Sequence, residues 1–448
     1  MYKNKRVAVI GLGVSGFAAA RLLKDMEARV RVTESAVTKA ILERKNLLVK
    51  EGVSIEVGGH NEKFIKGSQL FVVSPGVDRS SLPLKFARKN QIPVIDETEF
   101  AWTLCPAKVI AVSGTNGKTT VVSLLGEIFK KAKKGGIVCG NIGNPFSSAI
   151  AKCRKNSLII LEISSFQLER IKNFRPKIAV LLNIAFDHLD RHQSFLTYQR
   201  TKARLFLNQK SDDYAVLNQD DAGISPLLPC IKANKVFFSM KKRPEKGLLA
   251  KKDWIISNLS GEEQKIFDLK EAILQGQHNV ENYLAAASVA LLCKIPLSVI
   301  KRAFTEFYPL PHRLEFVKRI NEVTYIDDSK ATNVSAAKAA LSSFPAGRII
   351  LILGGRDKGC SFSPLKKIVG EKVKTLILLG EAKERIKSQL KNVPIRKVNS
   401  LEEAVKLGKK LAKPGDFVLL SPACSSFDMF IDYKQRGNVF KRAVQNLS

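Results

Sequence analysis

Short apolar segments alternate with helical patterns along the whole 448-residue chain, and this alternation constrains the fold more than any other feature. The strand candidates fall into three series: 6–10, 28–33 and 69–74; 108–113, 157–163 and 177–183; and 324–328, 348–354, 374–380 and 416–421. Helical stretches such as 335–343 and 401–411 lie between them. Because strands that alternate with helices pair in parallel and are covered by those helices, the sequence predicts an α/β protein with parallel sheets.

Three series of strands predict three domains, at residues 1–97, 98–309 and 310–448. The first and third resemble Rossmann-like units, and the central one resembles the parallel-sheet domain of P-loop ATPases. The second boundary falls where Pro309 and Pro311 stop a helix at 299–307. Residues 241–270 are expected to form irregular strands and turns within the central domain.

The charge balance is strongly basic, with 74 Lys and Arg against 41 Asp and Glu and a formal net charge of +33. Such a balance is compatible with a nucleic-acid or membrane partner. The basic residues are spread along the chain, however, and the densest clusters, 130–134 and 241–243, are short. A solvated lysine-rich surface is the favoured interpretation, attraction of small polyanionic substrates stays open, and no nucleic-acid partner is expected.

The cysteine usage and hydropathy favour a cytoplasmic protein. Seven Cys are scattered without a Cys-x-x-Cys pair or zinc-ligand spacing, as in a reducing compartment. No apolar run is long enough to span a membrane. The N-terminus imitates a signal peptide, but Gly11, Gly13 and Gly16 interrupt its apolar part. We expect a cytoplasmic monomer.

A glycine-rich turn, Gly11-Leu12-Gly13-Val14-Ser15-Gly16, follows the first strand and opens a helix at 17–24. This context is typical of dinucleotide-binding turns, where the backbone approaches a phosphate and the helix N-terminus attracts its charge. Glu34 follows the second strand, where a carboxylate can hold ribose hydroxyls. The turn does not specify the nucleotide, because NAD, FAD and UDP-sugars all bind to such turns.

The segment Gly114-Thr115-Asn116-Gly117-Lys118-Thr119-Thr120 reads as a phosphate-binding loop between a strand and an amphipathic helix. Its backbone N–H groups can hold phosphates, Lys118 can reach the terminal ones, and Thr119 can bind Mg²⁺. The generic pattern has a further Gly where this chain has Val112. The loop predicts an enzyme that uses ATP.

Polar residues follow other strands of the predicted sheets. Glu162 ends one strand, and Asp187 and His188 come after the next. A carboxylate near a phosphate loop is a typical Mg²⁺ ligand, whereas a histidine alone is more often a packed or surface residue. The segment 327–333, Asp-Asp-Ser-Lys-Ala-Thr-Asn, can clamp an anionic substrate or cap the following helix. Segments 354–359 and 421–426 allow the same two roles.

Taken together, these motifs resemble the Mur ligases, ATP-dependent amino-acid ligases of peptidoglycan synthesis. The resemblance extends over essentially the whole chain and rests on segments that occur in the family's order: 114–120, 140–143, 162–168, 183–188, 276–279 and 311–313. The family's ATP loop is shortened, which accounts for Val112. Segments 327–333, 421–430 and 435–437 resemble the members that add D-glutamate.

The resemblance implies a reaction in which ATP phosphorylates the terminal carboxylate of UDP-N-acetylmuramoyl-L-alanine. The amine of D-glutamate then attacks the acyl phosphate, and a tetrahedral intermediate collapses to the amide, ADP and phosphate. The charge on the phosphates must be neutralised throughout, which Lys118 and Mg²⁺ can do.

The resemblance also implies roles for individual residues. Lys118, His188 and Lys202 would be catalytic; Thr119 and Glu162 would bind one Mg²⁺, and His188 would bind a second together with Lys202 as a carbamate. ATP would contact Gly114, Thr115, Asn116, Gly117, Lys118, Thr119, Thr120, Asn279, Asn282, Arg313 and Asp328. The UDP-sugar would contact Gly13, Val14, Ser15, Glu34, Ser35, Ser74, Gly76, Asn141 and Gln167. D-Glutamate would contact Lys330, Thr332, Lys358, Ser426, Phe427 and Tyr433. Two residues depart from some relatives, Ala36 in place of an Arg and Tyr433 in place of a Phe.

Three other functions compete with this one. A folylpolyglutamate-type synthetase shares the ATP loop but lacks an N-terminal domain with a Gly-x-Gly turn. An NAD-dependent oxidoreductase fused to an ATPase leaves residues 310–448 without a role. A nucleic-acid-binding ATPase is suggested only by the net charge of +33.

Overall fold

The computed structural model describes residues 1–274 and 276–447, so Ser448 at the end of the predicted third domain lies outside it. The chain divides into two compact units. The first contains Met1–Asn183, Gln199–Lys270 and Glu281–Phe304, and the second contains Ile184–Tyr198, Glu271–Val280 and Thr305–Ser448. The predicted boundaries at 97/98 and 309/310 stay a prediction.

The first sheet is built by the N-terminal part of the first unit, and all its strands are parallel. Its strand order is β3-β2-β1-β4-β5. Val7 and Val9 of the first strand are buried on one face and Ala8 and Ile10 on the other, as expected for a parallel sheet covered on both sides. The elements are β1 (Arg6–Ile10), α1 (Val14–Asp25), β2 (Arg29–Glu34), α2 (Lys39–Lys50), β3 (Ser54–Val57), α3 (Glu62–Ile65), β4 (Leu70–Val73), α4 (Leu82–Lys89), β5 (Val94–Asp96) and α5 (Glu97–Trp102).

The second sheet also belongs to the first unit and has the strand order β14-β13-β12-β11-β10-β9-β6-β8-β7. Its strands are β6 (Lys108–Ser113), β7 (Gly136–Gly140), β8 (Leu158–Glu162), β9 (Ile178–Leu181), β10 (Tyr214–Asn218), β11 (Asn234–Ser239), β12 (Gly247–Lys251), β13 (Trp254–Ser257) and β14 (Gln264–Asp268). The helices of this stretch of chain are α6 (Lys118–Lys131), α7 (Phe146–Ile150), α8 (Ser165–Leu168), α9 (Leu189–His192), α10 (Phe195–Ala203), α11 (Gln277–Leu292) and α12 (Leu297–Thr305), with short 3-10 helices at Arg204–Phe206, Ser225–Cys230 and Leu269–Glu271.

The third sheet forms the core of the second unit and has the order β15-β16-β20-β17-β18-β19. Apolar side chains cover both of its faces. Its elements are β15 (Glu315–Ile320), β16 (Val323–Asp327), α13 (Val334–Ser342), β17 (Ile349–Gly354), a 3-10 helix (Ser363–Leu365), α14 (Lys366–Lys372), β18 (Val373–Leu379), α15 (Lys383–Gln389), β19 (Ile395–Lys397), α16 (Leu401–Leu411), β20 (Phe417–Leu420) and α17 (Tyr433–Gln445).

The α/β class is confirmed, and each strand predicted from the sequence occurs within about two residues of its expected bounds. The sheets are not wholly parallel, however, because β15 pairs antiparallel with β16, and β13 pairs antiparallel with both β12 and β14. The segment 241–270, expected to form irregular strands and turns, extends the second sheet with β12, β13 and β14, and the β13–β14 pairing is interrupted by a register shift between Ile255 and Ile256. Within the described part of the chain, no helix is both long and apolar enough to cross a membrane.

Candidate active site

The phosphate loop joins β6 to α6 in the first unit. Gly117 has a φ of 86°, and a Cβ on it would lie 2.5 Å from Asn282 Oδ1, so only glycine fits this position. Asn183 orders the loop, because its Oδ1 accepts from Asn116 N at 2.8 Å and its O accepts from Thr115 N at 2.9 Å. The predicted ATP residue Asn282 is thereby brought against the loop.

Lys118 folds back on the loop that precedes it. Its Nζ donates to Gly114 O at 2.8 Å and to Thr115 O at 2.9 Å. Since backbone carbonyls bind an ammonium more weakly than a charged oxygen does, phosphate oxygens can replace these acceptors.

Glu162 ends β8 beside the phosphate loop, because β8 pairs with β6 and places Glu162 opposite Val112. Its side chain is 2% exposed, and Oε1 accepts from Asn141 Nδ2 at 2.9 Å. Oε2 is buried without a hydrogen-bond partner among the described residues, which is costly for a carboxylate unless a cation satisfies it. Thr119 is also buried, and its hydroxyl and this carboxylate are the hard oxygen ligands that Mg²⁺ prefers.

Lys202 lies in the same unit and is only 1% exposed. Its Nζ donates to Gly114 O at 2.9 Å, which brings it to the phosphate loop from the far end of α10. As an ammonium it is a donor only and cannot bind a cation.

A cavity of about 640 Å³ opens in the first unit between the carboxyl end of the first sheet and the β7–α7 and α8 segments of the second. The nine residues predicted to contact a UDP-sugar all line it: Gly13, Val14, Ser15, Glu34, Ser35, Ser74, Gly76, Asn141 and Gln167. Other lining residues were not predicted as UDP-sugar contacts; Phe166 belongs to the 162–168 motif, whereas His60, Val77, Asp78, Ser81 and Pro145 belong to no motif named in the sequence. The lining residues come from segments that are distant in sequence and come together only in the folded structure.

The carboxylate of Glu34 accepts hydrogen bonds from the glycine-rich turn and from the residues that follow Glu34. Its Oε2 accepts from Leu12 N at 2.7 Å, and its Oε1 accepts from Ala36 N at 2.9 Å and Ser35 Oγ at 3.3 Å. The carboxylate therefore fixes the glycine-rich turn, and a ribose contact stays a prediction. Ala36, as expected from the sequence, offers no polar side-chain group.

In the second unit, Asp187 and His188 lie between β9 and α9. Lys358 Nζ lies 2.9 Å from Asp187 Oδ1, and Asn333 Nδ2 donates to Asp187 Oδ2 at 3.1 Å. Burial raises the pKa of Asp187, but the charges of Lys358 and His188 outweigh it and lower this pKa to about 2. His188 belongs to the second unit and Lys202 to the first, and a metal ion shared by them stays a prediction.

Asp328, which is predicted to contact ATP, directly follows β16 and is buried. Ser421 Oγ donates to its Oδ2 at 2.8 Å, and Leu314 N donates to its Oδ1 at 3.3 Å. Burial raises the pKa of Asp328 to about 7, although Ser421 and the charge of Arg313 act in the opposite direction. Asn279 lies in the same unit, where its N–H donates to Gly276 O at 2.9 Å.

The residues predicted to bind D-glutamate lie on several segments of the second unit. Lys330 Nζ is 3.7 Å from the centroid of the Tyr433 ring, a cation–π contact that brings two of them together. Ser426 is buried, whereas Phe427 is 62% exposed. Thr332 precedes α13 and is partly exposed.

Arg436 connects these segments and was recognised in the sequence only as part of the 435–437 resemblance. It is 2% exposed, and its Nη2 donates to Ser329 O at 2.9 Å and to Cys424 O at 3.0 Å. Its Nε donates to Ser329 Oγ at 3.0 Å. Burial lowers the pKa of Arg436 to about 10. Arg436 therefore holds the Ser329–Lys330 and Cys424–Ser426 segments at a fixed separation.

Within the described part of the chain, His312, Glu315 and Asp327 have ligand atoms close enough together to hold a metal ion. These atoms already have partners, however. His312 Nδ1 lies 2.7 Å from Asp327 Oδ2, and Lys441 Nζ lies 3.0 Å from Glu315 Oε1. The cluster is a partly buried hydrogen-bond network that fixes the chain after the second predicted boundary.

Family models match the chain in three consecutive segments. They are the Mur ligase MurD-like N-terminal domain at residues 5–96, the Mur ligase middle domain at 112–290, and the Mur ligase glutamate ligase domain at 312–424.

Two curated relatives extend over nearly the whole chain, and both are named UDP-N-acetylmuramoylalanine–D-glutamate ligase. The protein of Koribacter versatilis is 41% identical over 446 residues, which is 100% of this chain and 98% of the relative. The protein of Geotalea daltonii is 43% identical over 451 residues, again 100% of this chain and 98% of the relative.

Solved structures show the same fold at low sequence identity. A pseudomurein peptide ligase type C from Methanothermus fervidus matches with a TM-score of 0.65 and 21% identity, covering 99% of this chain and 100% of that one. The UDP-N-acetylmuramate-alanine ligase MurC from Thermotoga maritima matches with a TM-score of 0.62 and 20% identity, covering 98% and 99%. The fold is the three-domain fold of these ligases, and the chain belongs to the Mur ligase family.

Proposed function

We propose that this chain is an ATP-dependent ligase that joins D-glutamate to the L-alanyl carboxylate of UDP-N-acetylmuramoyl-L-alanine, a step of peptidoglycan precursor synthesis. The observation that carries the proposal is the identity of 41–43% over nearly the full chain to relatives named for this activity. The cavity also supports it, because all nine residues predicted to contact the UDP-sugar line it.

The first step transfers the γ-phosphoryl group of ATP to the alanyl carboxylate. Lys118 is assigned to this group, because its Nζ can exchange the carbonyls of Gly114 and Thr115 for phosphate oxygens. The Asn183 contacts keep the backbone N–H groups of the loop in place while this exchange occurs. The products of the step are ADP and an acyl phosphate.

In the second step, the amine of D-glutamate attacks the acyl carbon, and the tetrahedral intermediate expels phosphate to leave an amide. D-Glutamate carries two carboxylates, which require cationic partners. Lys330 and Lys358 are assigned to them, and both are held in position before the ligand binds, Lys330 by the Tyr433 ring and Lys358 by Asp187. Holding a charged side chain in one orientation lowers the entropy that binding costs.

We assign one Mg²⁺ to Thr119 and Glu162 and a second to His188 and a carbamylated Lys202. When bound, such ions neutralise phosphate charge and polarise the transferring phosphoryl group. The unpartnered Glu162 Oε2 supports the first assignment. For the second, carbamylation would turn the Nζ of Lys202 from a donor into part of an anionic ligand, which removes the conflict between a lysine and a cation.

The proposed substrates of the enzyme are small molecules, namely ATP, D-glutamate and the UDP-sugar. We propose that it acts in the cytoplasm as a monomer.

Phosphate release by the purified full-length protein tests the proposal. The assay contains UDP-N-acetylmuramoyl-L-alanine, ATP and Mg²⁺ with one amino acid at a time. D-Glutamate should support turnover, whereas L-glutamate, L-alanine and a diamino acid should not. Turnover with L-alanine or the diamino acid but not with D-glutamate would overturn the assignment.

A further inference from the structure

His60 lines the 640 Å³ cavity and has no role in the function proposed above. It lies between β3 and α3, next to the end of β2. A chain of short contacts orients it. Its Nδ1 lies 2.8 Å from Thr33 Oγ1, which is completely buried, and Thr33 Oγ1 lies 3.0 Å from Glu56 Oε1. Asn61 N also donates to Glu56 Oε1, at 2.8 Å, and so fixes the carboxylate.

The proton positions in this chain follow from what each group can do. Glu56 as a carboxylate only accepts, and the other oxygen near Thr33 Oγ1, Gly59 O at 3.3 Å, also only accepts. The single hydroxyl proton of Thr33 is therefore directed to one of these oxygens. His60 Nδ1 must then carry a proton and donate it to Thr33 Oγ1. In the neutral ring this leaves Nε2 as an acceptor.

The position of His60 in the sheet indicates which part of a ligand it meets. In the strand order β3-β2-β1-β4-β5, the central β1 leads to the N-terminus of α1 at Gly13–Ser15, where phosphates bind favourably. Asn141 and Gln167 come from the second sheet. The segment after β4 faces the second sheet, because Arg79 Nε donates to Glu169 Oε2 at 3.2 Å, whereas His60 lies on the other side of β1, where β2 and β3 end. A ligand with its diphosphate at α1 and its sugar toward Asn141 would place its nucleoside at His60.

The predicted UDP-sugar residues Glu34 and Ser35 leave room for a further hydrogen-bond acceptor on this side of the cavity. The carboxylate of Glu34 already accepts from three donors of its own loop. Ala36 has no polar group, and Ser35 is exposed. His60 is the cavity residue on this side whose side chain is oriented by a buried partner and retains an unused ring nitrogen among the described contacts.

We propose that His60 Nε2 accepts a hydrogen bond from the nucleoside part of the UDP-sugar, a uracil N–H or a ribose hydroxyl. This inference rests on the proposed function, because it takes the ligand of the cavity to be a uridine diphosphate derivative. His60 thus contributes to nucleotide recognition at the side of the cavity where Ala36 cannot.

Two substitutions separate the ring nitrogens. His60→Asn places its amide near the position of Nδ1, so it can keep the contact with Thr33 but loses the acceptor at Nε2. His60→Gln carries an amide oxygen that reaches the position of Nε2. Calorimetric titration of UDP into the full-length protein without ATP should give about tenfold weaker binding for His60→Asn, whereas His60→Gln should stay within about threefold of wild type.

Titration of inorganic pyrophosphate provides the matched control, because it lacks a nucleoside and should bind both variants like wild type. Equal UDP affinities of wild type and His60→Asn would overturn the role of His60. An equal loss of UDP and pyrophosphate affinity would overturn the assignment to the nucleoside. If wild type binds neither UDP nor UDP-N-acetylmuramoyl-L-alanine, the proposed function fails instead.

The variant Thr33→Val tests the orienting contact, because it removes the partner of His60 Nδ1. It should weaken UDP binding severalfold, and unchanged binding would contradict the orienting role of Thr33.

Discussion

Lys358 Nζ lies 2.9 Å from Asp187 Oδ1 in the second unit, although the two residues are 171 positions apart in the chain. Both side chains are largely withdrawn from solvent, and Asn333 Nδ2 occupies the other carboxylate oxygen of Asp187. The charge of Lys358 is thus fixed in position by protein groups before a substrate binds. For the proposed binding of D-glutamate, this arrangement would supply a cation without the entropic cost of ordering a long flexible side chain.

Replacing Lys358 with Met should affect stability and substrate binding separately. The Asp187 carboxylate would be left buried without its cationic partner, and we expect the free energy of unfolding to fall by about 3 kcal/mol. The KM for D-glutamate should rise at least about tenfold because a carboxylate partner is lost. Urea denaturation and phosphate-release kinetics measure the two effects.

The double variant Lys358→Met/Asp187→Asn is the control, because it removes both charges. It should recover most of the lost stability but not the affinity for D-glutamate. A double variant that binds D-glutamate like wild type would show that Lys358 has only a structural role.

Gly117 of the phosphate loop can be compared with Gly135, a second glycine with a positive φ, to test whether a side chain at position 117 disturbs the loop. Gly117 has a φ of 86° and would bring a Cβ to 2.5 Å from Asn282 Oδ1, whereas Gly135 has a φ of 58° and open space around a Cβ. Gly135→Ala should cost about 1 kcal/mol of stability and leave the KM for ATP unchanged. Gly117→Ala should also displace Asn282 and raise the KM for ATP at least about tenfold. Equal KM values for the two variants would contradict the role of this contact.

Local patterns were sufficient to predict ten of the twenty strands in the described part of the chain, because buried parallel strands are short apolar segments between turns. Strands such as β7 (Gly136–Gly140) and β15 (Glu315–Ile320) were not identified. The first contains two glycines, and the second lies at a sheet edge with charged residues, so neither has the composition of a central strand.

The candidate site was less accessible to sequence reasoning where it depends on long-range contacts. Neither the pairing of Lys358 with Asp187 nor the burial of Arg436 against Ser329 follows from residue spacing, because the partners are 171 and 107 positions apart. His60 was missed for a related reason. A single histidine in a loop has no distinguishing pattern until the fold places it beside Thr33 in the cavity wall.

Glu281 should make the stability of the first unit depend on pH. Burial raises the pKa of Glu281 to about 7, although a hydrogen bond with Asn218 acts in the opposite direction. The folded form therefore holds a proton at pH values where the unfolded chain, in which a glutamate has its ordinary pKa of 4.5, has released it. The resulting stabilisation is complete below pH 4.5 and is lost as the pH rises through 7.

The variant Glu281→Gln removes this titration and keeps a similar shape. Its free energy of unfolding relative to wild type should increase between pH 5 and pH 8 by about 1–3 kcal/mol, as measured in parallel urea denaturation series. A difference that does not change with pH would contradict the raised pKa.

Lys202→Ala should abolish ligase activity, and added short carboxylic acids should restore part of it. The cavity left by the side chain can admit a small carboxylate, which would replace the anionic end of a carbamate. Lys202→Arg, which keeps a cation but cannot form the same carbamate, should remain inactive. Full activity of Lys202→Ala without additives would eliminate the carbamate assignment.

Glu162→Gln should separate the function of Glu162 from its structural cost. Glutamine can keep the contact with Asn141 Nδ2 through its oxygen, but it removes the charge of a carboxylate whose Oε2 is buried without a hydrogen-bond partner in the described structure. Because that charge is expensive to bury in the absence of a cation, the variant should melt at the same temperature as wild type or higher in the presence of EDTA. Addition of Mg²⁺ with a non-hydrolysable ATP analogue should raise the melting temperature of wild type more than that of the variant, since only wild type retains the full ligand set. Phosphate release should fall at least about 100-fold.

Two outcomes would contradict this prediction for Glu162→Gln. A variant that keeps the wild-type response to Mg²⁺ would show that the carboxylate does not bind the ion. A large loss of stability in EDTA would show that the buried charge has a protein partner.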